Sequence, residues 1–297
     1  MTRIWRVTAI QLPGCGPDPL ANREIAAAYV REAARCGADL ALLPELATVP
    51  YFCGEDPAPY RHLAETMDGE LVAMFSRLCR EHDIALLLPF YEREEKSGCF
   101  YNSLVAIGRD GLRLLVHGRH GARPGVRKLH LPVSDDPPPG IDETRHFTPG
   151  SDFGVFTFGD LRLGCLICYD RRFPECWREL RALGAQLVAV PVAGEGGDSV
   201  DFFLAELRTH ARENGVVVVA ANKIGREYVG GRIVENYGES CIVSAAGDIV
   251  ARRPGAEGPG IVMAEIDPGE IMKTRGRLRY FEERRLDLFP GPAAIAL

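Results

Sequence analysis

The sequence predicts an α/β fold in which two strand–helix–strand units each build a sheet with helices on one face, and the two sheets pack on each other. Three observations carry this expectation. An apolar run at residues 4–12 is followed by a helical pattern over 22–36 and a second apolar run at 40–43. The middle of the chain repeats that order, with a strand at 161–167, a helix at 174–183 and a strand at 187–190. The joints agree too: Gly37-Ala38-Asp39-Leu40 runs to Pro44, and Gly184-Ala185-Gln186-Leu187 runs to Pro191.

The later helix shows its limits in the chain itself. Pro174 suits a first helical turn, Trp177, Leu180 and Leu183 recur at helical spacing, and Gly184 ends the run. Further strands are predicted at 84–88, 104–107, 216–220, 240–243 and 260–266, and further helices at 70–82 and 202–214. In a largely parallel sheet, functional groups gather beyond the carboxyl ends of the strands. That rule brings Glu45, Pro89-Phe90, Cys168, Ala193 and Asn222 around one cleft, making Asn222 a candidate substrate contact.

Composition narrows the function classes. A formal net charge of −6, with no offsetting stripe of Lys and Arg, argues against nucleic-acid binding. The first residues lack a long apolar segment and no stretch approaches a membrane span, so a soluble, cytoplasmic protein is expected. The Pro/Gly-dense stretches at 137–140 and 253–260 read as surface loops, not linkers, which favours one large domain. Nine cysteines are an odd number scattered along a long chain, a poor basis for a disulfide framework. Cys165 and Cys168 form a C-x-x-C, so a redox pair or half a zinc site competes as a reading. Cys165 falls inside the strand, however, and no second Cys or Cys/His pair completes a tetrahedral site.

Cys168 stands where the strand breaks into the polar turn Tyr169-Asp170-Arg171-Arg172. A thiol there is open to substrate, and backbone N–H groups beginning a helix would favour a thiolate and an oxyanion. An unperturbed thiol has a pKa of about 8.5, so a nucleophilic cysteine needs a base and a cation nearby. Glu45 follows an apolar strand and Pro44, where poor hydration can raise a carboxylate toward a working general base. Lys128, in Arg127-Lys128-Leu129-His130-Leu131-Pro132, is a cation suited to a developing oxyanion. Taken singly, each has a bland alternative: a helix-entry or surface carboxylate, and a solvated lysine.

Together these segments resemble the nitrilase, or carbon–nitrogen hydrolase, superfamily. Leu42-Leu43-Pro44-Glu45, Arg127 to Pro132, and Cys165-Leu166-Ile167-Cys168-Tyr169-Asp170-Arg171-Arg172-Phe173-Pro174-Glu175 are similar to its three catalytic segments, in its order and roughly its spacing. Secondary matches are Phe100-Tyr101-Asn102-Ser103, Ala220-Ala221-Asn222-Lys223, Gly238-Glu239-Ser240-Cys241-Ile242-Val243 and Arg284-Arg285-Leu286-Asp287-Leu288-Phe289. The resemblance implies a single domain over residues 1–297, built as a four-layer α-β-β-α sandwich of two mixed sheets packed face to face with helices outside. It implies a Glu45, Lys128 and Cys168 triad that works without a cofactor or metal. It also implies a second glutamate before an aromatic-x-Pro-Gly turn. Glu143, in Asp142-Glu143-Thr144-Arg145-His146-Phe147-Thr148-Pro149-Gly150, fits that place and would position Lys128, the alternative being a solvated loop acid.

One departure is the segment 111–127, longer than the family's usual approach to the lysine and rich in Gly, Arg and His. His117, His120 and His130 there and beyond read as loop residues, not metal ligands. Tyr169-Asp170 resembles the amidase branches, and Arg171 to Arg178 is similar to a segment of N-carbamoyl-D-amino acid amidohydrolases whose arginines face the substrate carboxylate. Arg172, Arg171 and Tyr169 are therefore candidate substrate contacts, since an Arg can grip a carboxylate bidentately; a structural role is the alternative for Arg172. Around Glu143 and residues 100–103 the chain is closer to N-carbamoylputrescine amidase and β-ureidopropionase relatives. The expected function is hydrolysis of an N-carbamoyl amino acid or amine through a cysteine thioester, releasing ammonia. An ω-amidase for dicarboxylic monoamides, or a non-catalytic binding module on the same fold, are the alternatives. The partners expected are a small ureido or amide substrate and further copies of the chain, with the apolar residues 290–297 as a candidate interface segment.

Overall fold

The computed structural model describes residues 3–135, 140–194 and 199–288. Strands β1 (Trp5–Pro13), β2 (Leu40–Leu42) and β3 (Ala85–Arg93) are parallel neighbours, and β4 (Phe100–Ile107) returns antiparallel to β3. Helices α1 (Pro19–Arg35) and α2 (Glu70–His82) make the two crossovers. The second half repeats this: β5 (Val155–Phe158) lies antiparallel to β6 (Leu161–Cys165), and β6, β7 (Leu187–Val192) and β8 (Val217–Val229) are parallel. Helices α3 (Pro174–Ala182) and α4 (Val200–Asn214) make its crossovers. The repeated joints are physical as well as sequential, since Gly37 and Gly184 both leave their helices at positive φ, +83° and +90°.

Alternation along the strands sorts the core into layers. Ile10, Ala41, Leu86 and Val105 point to one face and meet Ala26, Val30, Phe75 and Leu78 of α1 and α2. Leu166, Val188, Val190 and Val218 meet Trp177, Leu180, Phe203 and Leu207 of α3 and α4. The opposite faces of both halves share one cluster, with Val7, Leu42, Leu87 and Ala106 from the first half and Leu163, Cys165, Ala189 and Val219 from the second. The helices thus lie outside, as the sequence predicts. The two expected sheets are instead halves of one curled sheet, joined where Leu12 and Pro13 of β1 pair with Lys223 and Ile224 of β8.

Several boundaries differ from the sequence expectation for local reasons. Helix α1 begins at Pro19 because the Asp18 side chain caps the Leu20 N–H, and α4 begins at Val200 because Ser199 caps Phe202. Strand β6 stops at Cys165, two residues early. Strand β8 runs nine residues past Ala220 and turns into a hairpin with β9 (Arg232–Tyr237), which alternates without a distinct apolar run. Strands β10 (Ser240–Val243) and β12 (Gly260–Ile266) fall where expected, while β11 (Ile249–Arg253) and the capped helix α5 (Pro268–Arg277) were not foreseen. The segment expected as a long loop is partly ordered by pairing. Val116–Gly118 and Gly121–Arg123 form a small hairpin, with His117 paired to Val155, and Val126–Arg127 adds to β4. Residues 137–139, 289 and 290–297, which carry the loop, motif and interface expectations above, lie outside the described residues. Among the described residues no helix is long and apolar enough to cross a membrane.

Candidate active site

Each functional side chain is delivered by the end of a rigid element. β2 gives way to Leu43-Pro44-Glu45, and the chain turns sharply at Leu46, whose φ is +47°. The following segment is pinned by an aromatic cluster: Phe52 stacks on Tyr60 at 5.0 Å and packs against Tyr91, His146 and Phe147. That cluster also fixes the turn Glu143–Arg145, because His146 and Phe147 donate their N–H groups to the Glu143 carbonyl. Lys128 enters from the short strand beside β4, its own N–H bonded to the Asn102 carbonyl at 2.8 Å. Next to it, Arg127 grips the buried Glu92 carboxylate through Nε at 3.0 Å and Nη2 at 2.6 Å.

These elements bring Glu45, Lys128, Glu143 and Cys168 together. Lys128 Nζ donates to Glu45 Oε1 at 2.8 Å and to Glu143 Oε1 at 2.7 Å, and all three side chains are fully buried. Glu45 also accepts from Asn102 Nδ2 at 2.7 Å and from the Ala193 N–H at 2.9 Å, and the neighbouring Cys168 thiol helps to lower its pKa. Glu143 accepts from the Tyr51 hydroxyl at 2.8 Å, while its buried Oε2 has no hydrogen-bond partner among the described residues. Cys168 is half-buried and holds φ at +48°, a region costly for a non-glycine residue.

The charges follow from this packing. Burial pushes the Glu45 carboxyl up, but the Lys128 charge and the favourable contacts of Lys128, Cys168 and the Ala193 N–H bring it below the ordinary 4.5. Burial raises Glu143 to about 7, with Lys128 opposing and Glu45 reinforcing the rise. Burial opposes the charge on Lys128, yet Glu143 and Glu45 overcome it and hold the ammonium well above its ordinary range. Burial and the Glu45 charge push the Cys168 thiol up to about 12 against Lys128 and Arg171. At neutral pH the resting group is therefore a thiol near a carboxylate that is itself bonded to an ammonium. That arrangement can move a proton from sulfur to Glu45 as the sulfur attacks an electrophile.

The remaining predicted site residues divide. Tyr169 is half-buried beside Cys168, its ring edge-on to Phe173. Arg172 is 23% exposed, close to Glu206 Oε1 at 3.4 Å and over the Phe202 ring. Arg171, expected to face substrate, is buried: Nε donates to Glu206 Oε2 at 2.9 Å and Nη1 to the Cys168 carbonyl at 2.9 Å. Asn222 is also corrected. Its buried amide accepts the Gly194 N–H at 3.0 Å and donates to the Gly238 carbonyl at 2.7 Å, so it holds the turn that carries Ala193. The helix begins at Pro174, as the sequence predicts, and residues Cys168–Arg172 form a 3-10 turn between it and the strand. Cys165 lies in the core between the two halves of the sheet, a packed strand residue as read from the sequence.

Sequence reasoning missed three supporting side chains, Asp170, Asn102 and Tyr51, and placed Ala193 at the cleft without foreseeing the role of its N–H. Asp170, 1% exposed, accepts the N–H groups of Leu129, His130 and Ile167, and so ties the cysteine turn to the lysine segment. Asn102, Tyr51 and the Ala193 N–H complete the carboxylate contacts. Asn102 had one available signal, a polar residue inside the buried strand β4. Among the described residues no group of three or more His, Cys, Asp or Glu is arranged to hold a metal ion. His130 stacks on Phe173 at 3.8 Å and contacts Asp170 through Nδ1 at 2.9 Å.

The chain belongs to the carbon–nitrogen hydrolase family, whose profile matches residues 6–276. Among individual relatives it is 30% identical to N-carbamoylputrescine amidase from Solanum lycopersicum, over 97% of this chain and 94% of that protein. It is 33% identical to the human deaminated glutathione amidase, over 92% of this chain and 80% of that one. Its backbone superposes on the crystal structure of a carbon–nitrogen hydrolase from Helicobacter pylori G27 with a TM-score of 0.83 at 26% identity. That match covers 96% of this chain and 97% of the other.

Proposed function

We propose that this protein hydrolyses the C–N bond of an N-carbamoyl amine or N-carbamoyl amino acid, with Cys168 as nucleophile, Glu45 as general base and acid, and Lys128 as oxyanion partner. One observation carries this reading: the buried Glu45 carboxylate is bonded to the Lys128 ammonium at 2.8 Å and neighbours the half-buried Cys168 thiol, whose presence lowers its pKa. Glu45 takes the thiol proton as sulfur bonds the carbonyl carbon, and Lys128 with the Tyr169 N–H receives the negative oxygen. Glu45 then returns the proton to the leaving nitrogen, the C–N bond breaks, and ammonia departs from an S-acyl enzyme. Water attacks that ester, Glu45 takes its proton, and the thiol is restored. From a ureido substrate the second product is a carbamic acid, which decomposes to amine and carbon dioxide. Glu143 positions Lys128, and Arg172 and Tyr169 are the groups left to contact substrate.

The likeness to N-carbamoylputrescine amidases supports the ureido class. A second reading, hydrolysis of a primary amide by an ω-amidase, is favoured by the likeness to deaminated glutathione amidase. A screen of ammonia release separates them, using N-carbamoyl-D- and L-amino acids, N-carbamoyl-β-alanine, N-carbamoylputrescine and α-ketoglutaramate. Turnover confined to α-ketoglutaramate favours the second reading. No turnover on any compound leaves the non-catalytic module. A single domain over residues 1–297, a cytoplasmic location and assembly into homo-oligomers belong to the same proposal, the last to be checked by light scattering.

A further inference from the structure

Arg171 occupies an unusual place for a cation next to a nucleophile. Its side chain is 4% exposed and bound from two directions, by Glu206 of α4 through Nε at 2.9 Å and by the Cys168 carbonyl through Nη1 at 2.9 Å. The same Nη1 lies 3.8 Å from Cys168 Sγ. The guanidinium also sits over the Phe203 ring at 5.2 Å, and the Arg171 carbonyl accepts the Trp177 indole N–H at 2.8 Å. Among the described residues, α3, α4 and the cysteine turn itself hold this arginine. Its contacts close a small ring around the one residue of that turn with positive φ, Cys168 at +48°.

We propose that Arg171, anchored by Glu206, is a positioning residue for Cys168: it braces the left-handed turn that presents the sulfur and supplies a fixed positive charge beside the thiolate as it forms. This rests on Cys168 being the nucleophile. A planar fork can bond a carboxylate and a carbonyl at once, which a lysine ammonium on a flexible stem cannot reproduce in the same geometry. Among the described residues, the charges that act on the Cys168 thiol are those of Glu45 and Glu143, which raise its pKa, and of Lys128 and Arg171, which lower it. Lys128 is bonded to Glu45 and Glu143, whereas Arg171 is held by Glu206 and the Cys168 carbonyl. Removing its charge shifts the balance against the thiolate, and an opposite charge at this range moves a pKa by about 1–3 units.

The test is the pH dependence of alkylation by iodoacetamide, followed at Cys168 by peptide mass spectrometry, together with kcat and KM for N-carbamoylputrescine. Arg171→Met should raise the midpoint of Cys168 alkylation by about one pH unit and lower kcat about 10- to 100-fold, with KM changed less than about threefold. Arg171→Lys, which keeps the charge and loses the fork, should return the midpoint to within about half a unit of wild type and still lose about 3- to 10-fold in kcat. A wild-type midpoint in a folded Arg171→Met overturns the proposal. Should Arg171→Met fail to fold, wild-type kcat in Arg171→Lys overturns it instead. Cys168→Ala keeps the two questions apart: turnover surviving in that variant, or wild-type alkylation at another cysteine, defeats the nucleophile assignment whatever Arg171 does.

Discussion

The Asp170 carboxylate accepts the His130 N–H at 2.8 Å, joining the cysteine turn to the lysine segment across the candidate site. Leu129 donates to the same carboxylate at 3.2 Å and Ile167 at 3.3 Å, so one buried side chain sets the separation of Lys128 and Cys168. Asp170→Asn turns one acceptor oxygen into a donor facing these N–H groups. Hydrogen bonds to charged groups are worth roughly 1.5–3 kcal/mol each, and buried N–H groups without acceptors add a penalty. The variant should lose about 2–4 kcal/mol of stability by urea denaturation and one to two decades of kcat at 25 °C. Wild-type kcat would show that the two segments hold their spacing without this link.

Lys128 bridges two fully buried carboxyl groups, and its removal leaves both without their cation. Breaking one partner of a buried ion pair costs roughly 3–5 kcal/mol. Lys128→Met should lower the thermal midpoint by several degrees and abolish measurable turnover. Adding Glu143→Gln removes one stranded charge and should recover part of the lost stability but none of the activity. A double variant no more stable than Lys128→Met would mean that Glu143 takes up a proton once the lysine is removed and strands no charge.

Glu143 gives a pH signature of its own. Its carboxyl rises from an ordinary 4.5 to about 7 in the fold, so the native state binds the extra proton between those values. The neutral form is the one the fold prefers. Its stability contribution is fully present below about 4.5 and is lost as pH rises through about 7. Glu143→Gln has no proton to lose, so its stability relative to wild type should improve over that window, by at most ~3 kcal/mol. Thermal midpoints of both proteins at pH 4.5, 5.5, 6.5 and 7.5 provide the comparison, and parallel curves would contradict the raised pKa.

Arg172 is the arginine left partly open, at 23% exposure and 3.4 Å from Glu206. If it grips a substrate carboxylate, Arg172→Ala should lower kcat/KM for N-carbamoyl amino acids by about one to two decades. Arg172→Lys should keep the charge but lose the paired contact. N-carbamoylputrescine, which has no carboxylate, should lose much less. Equal losses on acidic and cationic substrates would assign Arg172 to the structural role it shares with Glu206, and favour the amine-derived substrate.

Much of this molecule was legible before its coordinates. The repeated order of strands and helices follows from hydrophobic periodicity, which is local, and the Gly37 and Gly184 joints marked both repeats. Glu45, Lys128, Glu143 and Cys168 stand in distinctive contexts, Pro44 before Glu45 and a strand end before Cys168, so they could be picked out and then tied together by resemblance. Their supports could not. Asp170, Asn102 and Tyr51 are single polar residues whose meaning lies in what faces them from distant parts of the chain, and no periodicity encodes that.

The sequence by itself determined the α/β class, the order of its elements and the four residues that gather in the site. The tertiary structure decided that the two sheets are one, through pairing of Leu12 and Pro13 with Lys223 and Ile224. It also turned Arg171 and Asn222 inward, because each finds partners within the fold: Glu206 and the Cys168 carbonyl for one, Gly194 and Gly238 for the other. A buried polar group goes where its hydrogen bonds are satisfied, and which partners are within reach is settled only when remote segments pack.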